Sequence, residues 1–442
     1  MNRQTQNHKV VMTLLLVVAA IGSAASSYAV PLFARQTQVN CGSCHAPPPS
    51  LTKFGRRFKQ NGYVLESSKE RPFSVSLVAF STYSKSKEDL LVAPGPDADL
   101  NDNASLQQLS LSTGGRITDN TGAYLQLTYE GLRDQVSLGT VEIRTIKNTY
   151  VNDRNVLFSA AINNSPSYQD PWNSNGARFW PYFRFEHEPL STHRPILDGE
   201  LARRVMGVSG TAFIDDSLHM EVALYSGLSE NLQENLGLYE PNYLKLDDTG
   251  VYARVAKEVS MGMTSFTAGA TFFRGEIEKS AGRPPDRITD VALDAFYQSN
   301  KGPHDVNLSA GLLYESLDTA TSKRLGFASE KNSSLTRFTT SAQYLYQKTW
   351  GIGAGFTRLA GTADALYFGT ANGKPDTSTL RFDAFWNPIS KKPFKFYPLG
   401  RTRLGLEYVM YRKFNGRAKN FNGLRRDAGD NNTFSFYWVV VL

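Results

Sequence analysis

Phe434-Ser435-Phe436-Tyr437-Trp438-Val439-Val440-Val441-Leu442 closes the sequence. Phe434, Phe436, Trp438, Val440 and Leu442 alternate with Ser435, Tyr437, Val439 and Val441. Successive side chains of an extended chain point to opposite faces. The segment therefore reads as a strand with one apolar and aromatic face. The same period recurs upstream in Ser74–Tyr83, Gly122–Glu130, Leu218–Tyr225, Ser265–Phe273, Val306–Tyr314 and Arg381–Trp386, in runs of about ten residues.

The connectors between these runs alternate in length. Short links are expected at Thr118–Asn120, Asn152-Asp153, Asp215-Asp216, Val259–Gly262, Asn300–His304 and Lys348–Trp350. Long links are expected at Ser84–Asn103, Gly131–Gly139, Asn163–Gly199, Gly227–Asp248, Gly275–Arg287, Ser316–Ser334, Gly361–Ser378 and Asn415–Asn432; Ser390–Arg401 is somewhat long for a turn. Short turns at one end and long loops at the other are the rhythm of a membrane β-barrel. An open sheet in lipid would leave backbone N–H and C=O groups unpaired, so closure is required. The reading is all-β: an outer-membrane antiparallel barrel of about sixteen strands over residues 73–442. A large β-sandwich or β-helix is the soluble alternative, and neither explains the short-long rhythm.

Residues 1–29 read as an export signal. Arg3 and Lys9 form its basic start, Val10–Ile21 its apolar core, and Ser27 and Ala29 its cleavage positions. An uncleaved anchor is the alternative, but the apolar run is short for a bilayer. The formal charge of +7 falls to +5 once Arg3 and Lys9 leave, which gives no reason to expect a nucleic-acid partner. No later apolar run approaches the length of a transmembrane helix.

Between the signal and the first strand lies Cys41-Gly42-Ser43-Cys44-His45, the attachment pattern of a c-type haem. Two thiols three apart take both vinyl groups, and the adjacent imidazole becomes the proximal ligand. Cys41 and Cys44 are the only cysteines, so no second pair completes a zinc site. A disulfide would not require His45. The expected cofactor is one haem c, held on a small, partly helical module over residues 30–72. Ser50 is the expected N-cap of a helix carrying Leu51, Phe54 and Phe58 on one face, and Asn61-Gly62 its left-handed stop. So short a segment cannot bury an adequate core alone. It is expected to sit as a plug in or under the barrel mouth, entering from the periplasmic side.

The distal iron position has several candidates. Residues 30–72 hold no Met and no His beyond His45. His187, His193, Met206, His219 and His304 are the leading barrel candidates, with Met220, Met261, Met263 and Met410 behind them. A lysine such as Lys53 or Lys59, a water, or an open site are further alternatives. Arg35, Arg56, Arg57 and Lys59 are candidate partners for haem propionates, or else a solvated basic face. Glu88, Asp89, Asp97, Asp99 and Asp102, and Glu230, Glu234, Glu240, Asp247 and Asp248, put hard oxygen ligands on two long loops. Solvation is the ordinary role of such loops. Lys391, Lys392 and Lys395 would present a basic turn to an acidic redox partner, or simply to water.

Two resemblances add to this. The apolar terminal strand resembles the C-terminal signal of bacterial outer-membrane barrels, with Leu442 where that family usually has Phe. Pro31–Thr37, Cys41–His45, Leu51–Lys59 and Asn61–Tyr63 together resemble the fused monohaem cytochrome–porins of iron-oxidising bacteria. The likeness is specific over residues 30–63 and architectural over the barrel. It implies an outer-membrane protein that takes single electrons from extracellular Fe(II) and passes them to a periplasmic c-type cytochrome or other soluble electron carrier. Cys41, Cys44 and His45 take the family's haem-binding positions. Other classes are a passive porin with a structural haem, a haem ligand sensor, and a conduit running electrons outward. No hydrolytic constellation competes with them.

Overall fold

The computed structural model describes residues 32–37, 39, 41–45, 50–65, 74–96, 98–168, 170–172, 187–238, 244–279, 282–388 and 401–442. The proposed signal segment and Lys391, Lys392 and Lys395 lie outside the described residues. Three short helices come first: α1 (Leu32–Thr37), the single turn α2 (Cys41–Cys44) and α3 (Lys53–Gln60). The strands are β1 (Ser74–Ser86), β2 (Asn103–Thr118), β3 (Thr121–Glu130), β4 (Gln135–Val151), β5 (Arg154–Asn163) and β6 (Val205–Ile214). They continue with β7 (Leu218–Gly227), β8 (Lys245–Leu246), β9 (Gly250–Met261), β10 (Thr264–Glu278), β11 (Asp286–Lys301) and β12 (His304–Asp318). The last are β13 (Asn332–Tyr346), β14 (Trp350–Gly361), β15 (Thr377–Trp386), β16 (Arg401–Lys413) and β17 (Thr433–Val441).

All neighbours run antiparallel in sequence order, and β1 pairs with β17 as well as β2, which closes the sheet. β8 is a two-residue extension beside the end of β10, while β7 pairs directly with β9. Sixteen staves thus form a closed barrel with no unpaired edge, which satisfies the backbone without water.

The terminal strand behaves as its alternation predicts. Phe434, Phe436 and Trp438 stand exposed on the outer face, while Ser435, Tyr437 and Val439 are buried inside. On β7, Met220, Val222 and Leu224 face out and His219, Glu221 and Ala223 face in. The result is an apolar outer band around a largely polar lumen, the arrangement of a membrane barrel. Trp350 and Trp386 stack at 5.6 Å, and His304 lies against Tyr344 and Tyr346, giving an aromatic rim at the short-turn end.

Most strands outrun their sequence-based limits. β1 continues to Ser86 and β12 covers His304–Asp318, because polar rim residues keep pairing where lipid-facing alternation has stopped. The expected long link at Gly131–Gly139 shrinks to residues 131–134 for the same reason. The turns at Asn152-Asp153 and Asp215-Asp216 are as expected, all four residues having positive φ.

In α3 the cap is Thr52 rather than Ser50. The Thr52 hydroxyl accepts from Gly55 N, and Leu51 is held outside the helix by a β-bridge with His45. The stop is as expected: Gly62 and Tyr63 have φ of 65° and 60°, with Tyr63 N donating to Phe58 O and Gly62 N to Lys59 O.

Candidate functional site

The Cys41–His45 segment and α3 form one packed unit. Thr52 N donates to Cys44 O at 2.9 Å, and the Thr52 hydroxyl donates to Ser43 O at 2.5 Å. Gly55 lies so close to the Cys44 carbonyl that a Cβ there would collide with backbone. α3 therefore backs directly onto the α2 turn. Gly42 and Ser43 are exposed and Cys44 and His45 half-buried. Phe54, on the turn of α3 beside Gly55, is 41% exposed, an apolar ring with an open face. One thiol pair at single-turn spacing, an adjacent imidazole and an uncovered apolar ring suit a flat apolar cofactor attached through sulfur. The residues present fit a c-type haem: Cys41 and Cys44 would hold it and His45 would ligate its iron.

The unit has only a small core of its own, built on Leu32, Phe58, Tyr63 and Val64. Phe33 stacks on Tyr63 at 4.9 Å and meets Phe58 edge-on at 5.2 Å, and Tyr124 of β3 completes the group. The barrel wall supplies the rest. Gln36 Nε2 donates to Gly114 O at 2.7 Å and Arg35 to Val75 O at 2.5 Å. Arg57 pairs with Asp216 in the β6–β7 turn at 2.5 Å. Gln60 accepts from Arg144 at 2.9 Å, and Tyr63 donates to Glu142 at 2.5 Å. These contacts ring the short-turn mouth, where the N-terminal unit sits as a plug.

The four candidate propionate cations are already engaged by the chain. Arg56 is buried between Glu258 (2.7 Å), Gln298 (3.0 Å) and Leu51 O (2.6 Å). Burial pulls its pKa down against the opposing pull of Glu258. Lys59 donates to Tyr168 O and sits 4.3 Å over the Tyr168 ring. Burial lowers its pKa to about 8, with Glu142 acting the other way. Arg56 and Lys59 thus anchor the plug, and Arg57 shares that work at the rim.

The distal candidates separate by face. Met206, 36% exposed, lies on the outer face of β6 between inward Val205 and Gly207; lipid-side parity removes it from the lumen. Met220, Met261 and Met263 are likewise exposed. His304 is exposed in the aromatic rim, its Nδ1 bonded to the Tyr344 hydroxyl at 2.7 Å, and also points away from the interior. His193 packs on Tyr367 and Phe368 of the 362–376 loop at the far end. His187 is buried, beside Glu188, which pairs with Arg381 of β15 at 2.5 Å. His219 is buried on the inner face of β7, 3.4 Å from Glu221 and edge-on to Trp172 at 6.0 Å. It is the inward strand histidine among the described residues.

The described parts of the long segment after β5 turn into the lumen. Asp170 meets Arg254 at 3.4 Å, which is also bound to Asp294 at 2.6 Å; Trp172 Nε1 donates to Glu258 at 2.6 Å. Its far part crosses to the opposite wall. Ile196 N donates to Glu315 at 2.7 Å and Leu197 N to Asp290 at 2.9 Å, while Asp198 pairs with Arg337 at 2.5 Å. Ile196, Leu197 and Leu201 then join an apolar cluster with Val205, Tyr225 and Tyr252.

The loop carboxylates do not converge. Asp102 accepts from Tyr83 and Lys85, Asp247 from Lys245, and Asp248 from Thr249 N. Among the described residues no three His, Cys, Asp or Glu form a cation site. Asp97 and Glu240 lie outside those residues.

The lumen charges Glu142, Arg144, Glu221, Arg254 and Glu258 escaped the sequence reading. Their signal was a pair of polar residues two apart inside an apolar alternation, as in Glu142-Ile143-Arg144 and His219-Met220-Glu221.

No protein-family model and no curated protein matches the chain. Among solved structures it is similar to Salmonella typhi OmpF, solved in complex with daunomycin (12% identity, 84% of this chain and 97% of that one, TM-score 0.49). It is also similar to the outer membrane channel DcaP of Acinetobacter baumannii (12%, 84% and 97%, TM-score 0.48) and to the anion-selective porin of Comamonas acidovorans (11%, 84% and 100%, TM-score 0.45). The class of this protein follows from its own closed strand order: a sixteen-stave antiparallel barrel with an apolar outer band and a helical plug.

Proposed function

We propose that this barrel is an outer-membrane c-type cytochrome–porin fusion. It takes single electrons from extracellular Fe(II) at one covalently bound haem and delivers them to a periplasmic c-type cytochrome or other soluble electron carrier. The observation that carries the reading is the seat of Cys41–His45: a single turn backed by Gly55 and held at the short-turn mouth. A c-type haem attached there supplies one-electron chemistry at its iron.

The chain's own residues bind, orient and enclose. Cys41 and Cys44 would anchor the haem through sulfur and His45 would ligate its iron, while Arg56, Arg57 and Lys59 hold the unit against the wall. Each Fe(II) loses one electron and leaves as Fe(III); each carrier gains one. No proton or group is moved by a side chain. The long-loop end is the donor side and the short-turn mouth the carrier side.

Occupation of the lumen from both ends favours this reading over a passive porin. The test uses the purified full chain. A pyridine haemochrome spectrum should report one covalent haem, and stopped-flow mixing with Fe(II) should reduce it. A haem that Fe(II) never reduces at any working pH overturns the oxidase reading. Full activity and an unchanged low-spin spectrum in His45→Ala overturn the ligand assignment.

A further inference from the structure

Arg56 joins the proximal-ligand segment to the barrel wall. One guanidinium nitrogen donates to Leu51 O, and Leu51 is the residue that bridges to His45. The other reaches Glu258 of β9 at 2.7 Å, with both side chains at most 3% exposed. Glu258 is itself fixed, accepting from Trp172 Nε1 at 2.6 Å and from the Ser260 hydroxyl at 2.8 Å. Gln298 of β11 accepts from Arg56 at 3.0 Å and donates to Asn307 of β12 at 3.3 Å. A buried guanidinium with three acceptors has one orientation, because its planar fork is rigid.

We propose that Glu258, acting through Arg56 and the Leu51–His45 bridge, is a positioning residue for the iron centre: the barrel wall, not the helical unit alone, sets the orientation of the His45 imidazole and the charge around it. This rests on the haem reading above. It assigns to a β9 carboxylate, 213 positions beyond His45 in the sequence, a role that no haem-attachment motif contains.

The experiment compares full-chain wild type, Glu258→Gln and the remote control Glu276→Gln, whose partner Arg287 lies 2.9 Å away on the outer surface. Covalent haem content, the ferric electron paramagnetic resonance spectrum and the midpoint potential are read for each. Glu258→Gln keeps the shape and removes the charge that offsets Arg56. The expected result is unchanged haem content, an upward shift in potential, and shifted or broadened g-values. The control should match wild type. If Glu258→Gln does not fold, Arg56→Gln combined with Glu258→Gln removes both charges and should retain the broadened g-values. Wild-type spectra and potential in whichever variant folds overturn the proposal. Absence of covalent haem in wild type would instead overturn the haem reading itself.

Discussion

The two ends of the lumen are filled by different chemistry. At the long-loop end, Ile196, Leu197 and Leu201 sink into an apolar cluster with Val205, Tyr225 and Tyr252. At the short-turn end, Arg56, Lys59, Gln60 and Tyr63 meet carboxylates, amides and carbonyls of the wall and of the inward loop. Apolar burial is strong but non-directional. A buried ion pair gives back much of its attraction as desolvation cost, while its charge-assisted hydrogen bonds fix orientation. The plug end is held through its own charged side chains, whereas the long-loop end adds an apolar cluster to the bonds that Ile196, Leu197 and Asp198 make with Glu315, Asp290 and Arg337.

Removing one partner from the charged end should have the largest effect. Arg56→Ala leaves Glu258 buried without its cation and should cost about 3–5 kcal/mol. Limited proteolysis within residues 39–52 would report the released unit, and unchanged protection would break the contrast. At the packed end, Leu201→Ala deletes a side chain only 1% exposed and should cost ~2–5 kcal/mol, read as cleavage in the 187–204 segment with the plug still protected.

Acid should act on the packed end through His193. The ring of His193 keeps some solvent contact, but its Nδ1 is enclosed without a hydrogen-bond partner. Burial, then Lys279 and Arg283, lower its pKa from 6.5 to about 3. The unfolded segment therefore binds the proton first, so its packing weakens as pH falls from about 6.5 towards 3 and is fully present above that window. Protection factors for amide exchange in residues 191–201, taken relative to the intrinsic rate at each pH, should fall with acid, and His193→Phe should abolish the fall. The smallest effect belongs to the rim: Arg57→Ala removes a pair whose side chains are 56% and 30% exposed, worth ~0–1 kcal/mol and further screened by salt. A thermal melt indistinguishable from wild type at high salt is the expected outcome.

The barrel was legible because its determinants are local. Phe434–Trp438 alternates in sequence and in space, and the Asp215-Asp216 turn declares itself in two residues. Strand ends were misjudged where alternation fades but pairing persists, as at Ser84–Ser86. The haem-attachment pattern was equally local. What joins it to the barrel was not: Arg56 meets Glu258 only after a helix docks inside a closed sheet, and nothing near either residue announces the other. The cap moved from Ser50 to Thr52 for a related reason, since the His45–Leu51 bridge holds Leu51 in extended form. Parity could have sorted the distal candidates, because Met206 and His304 occupy outward positions of their strands.

Lys59 grips the carbonyl of Tyr168, on the inward segment that follows β5. That contact ties the stability of the plug to that of the loop residues 165–172 it rests on. Whatever tightens the N-terminal unit in its mouth tightens the inward loop by the same factor, and the loop returns the favour. A ligand that loosened those loop residues would loosen the plug by the same factor.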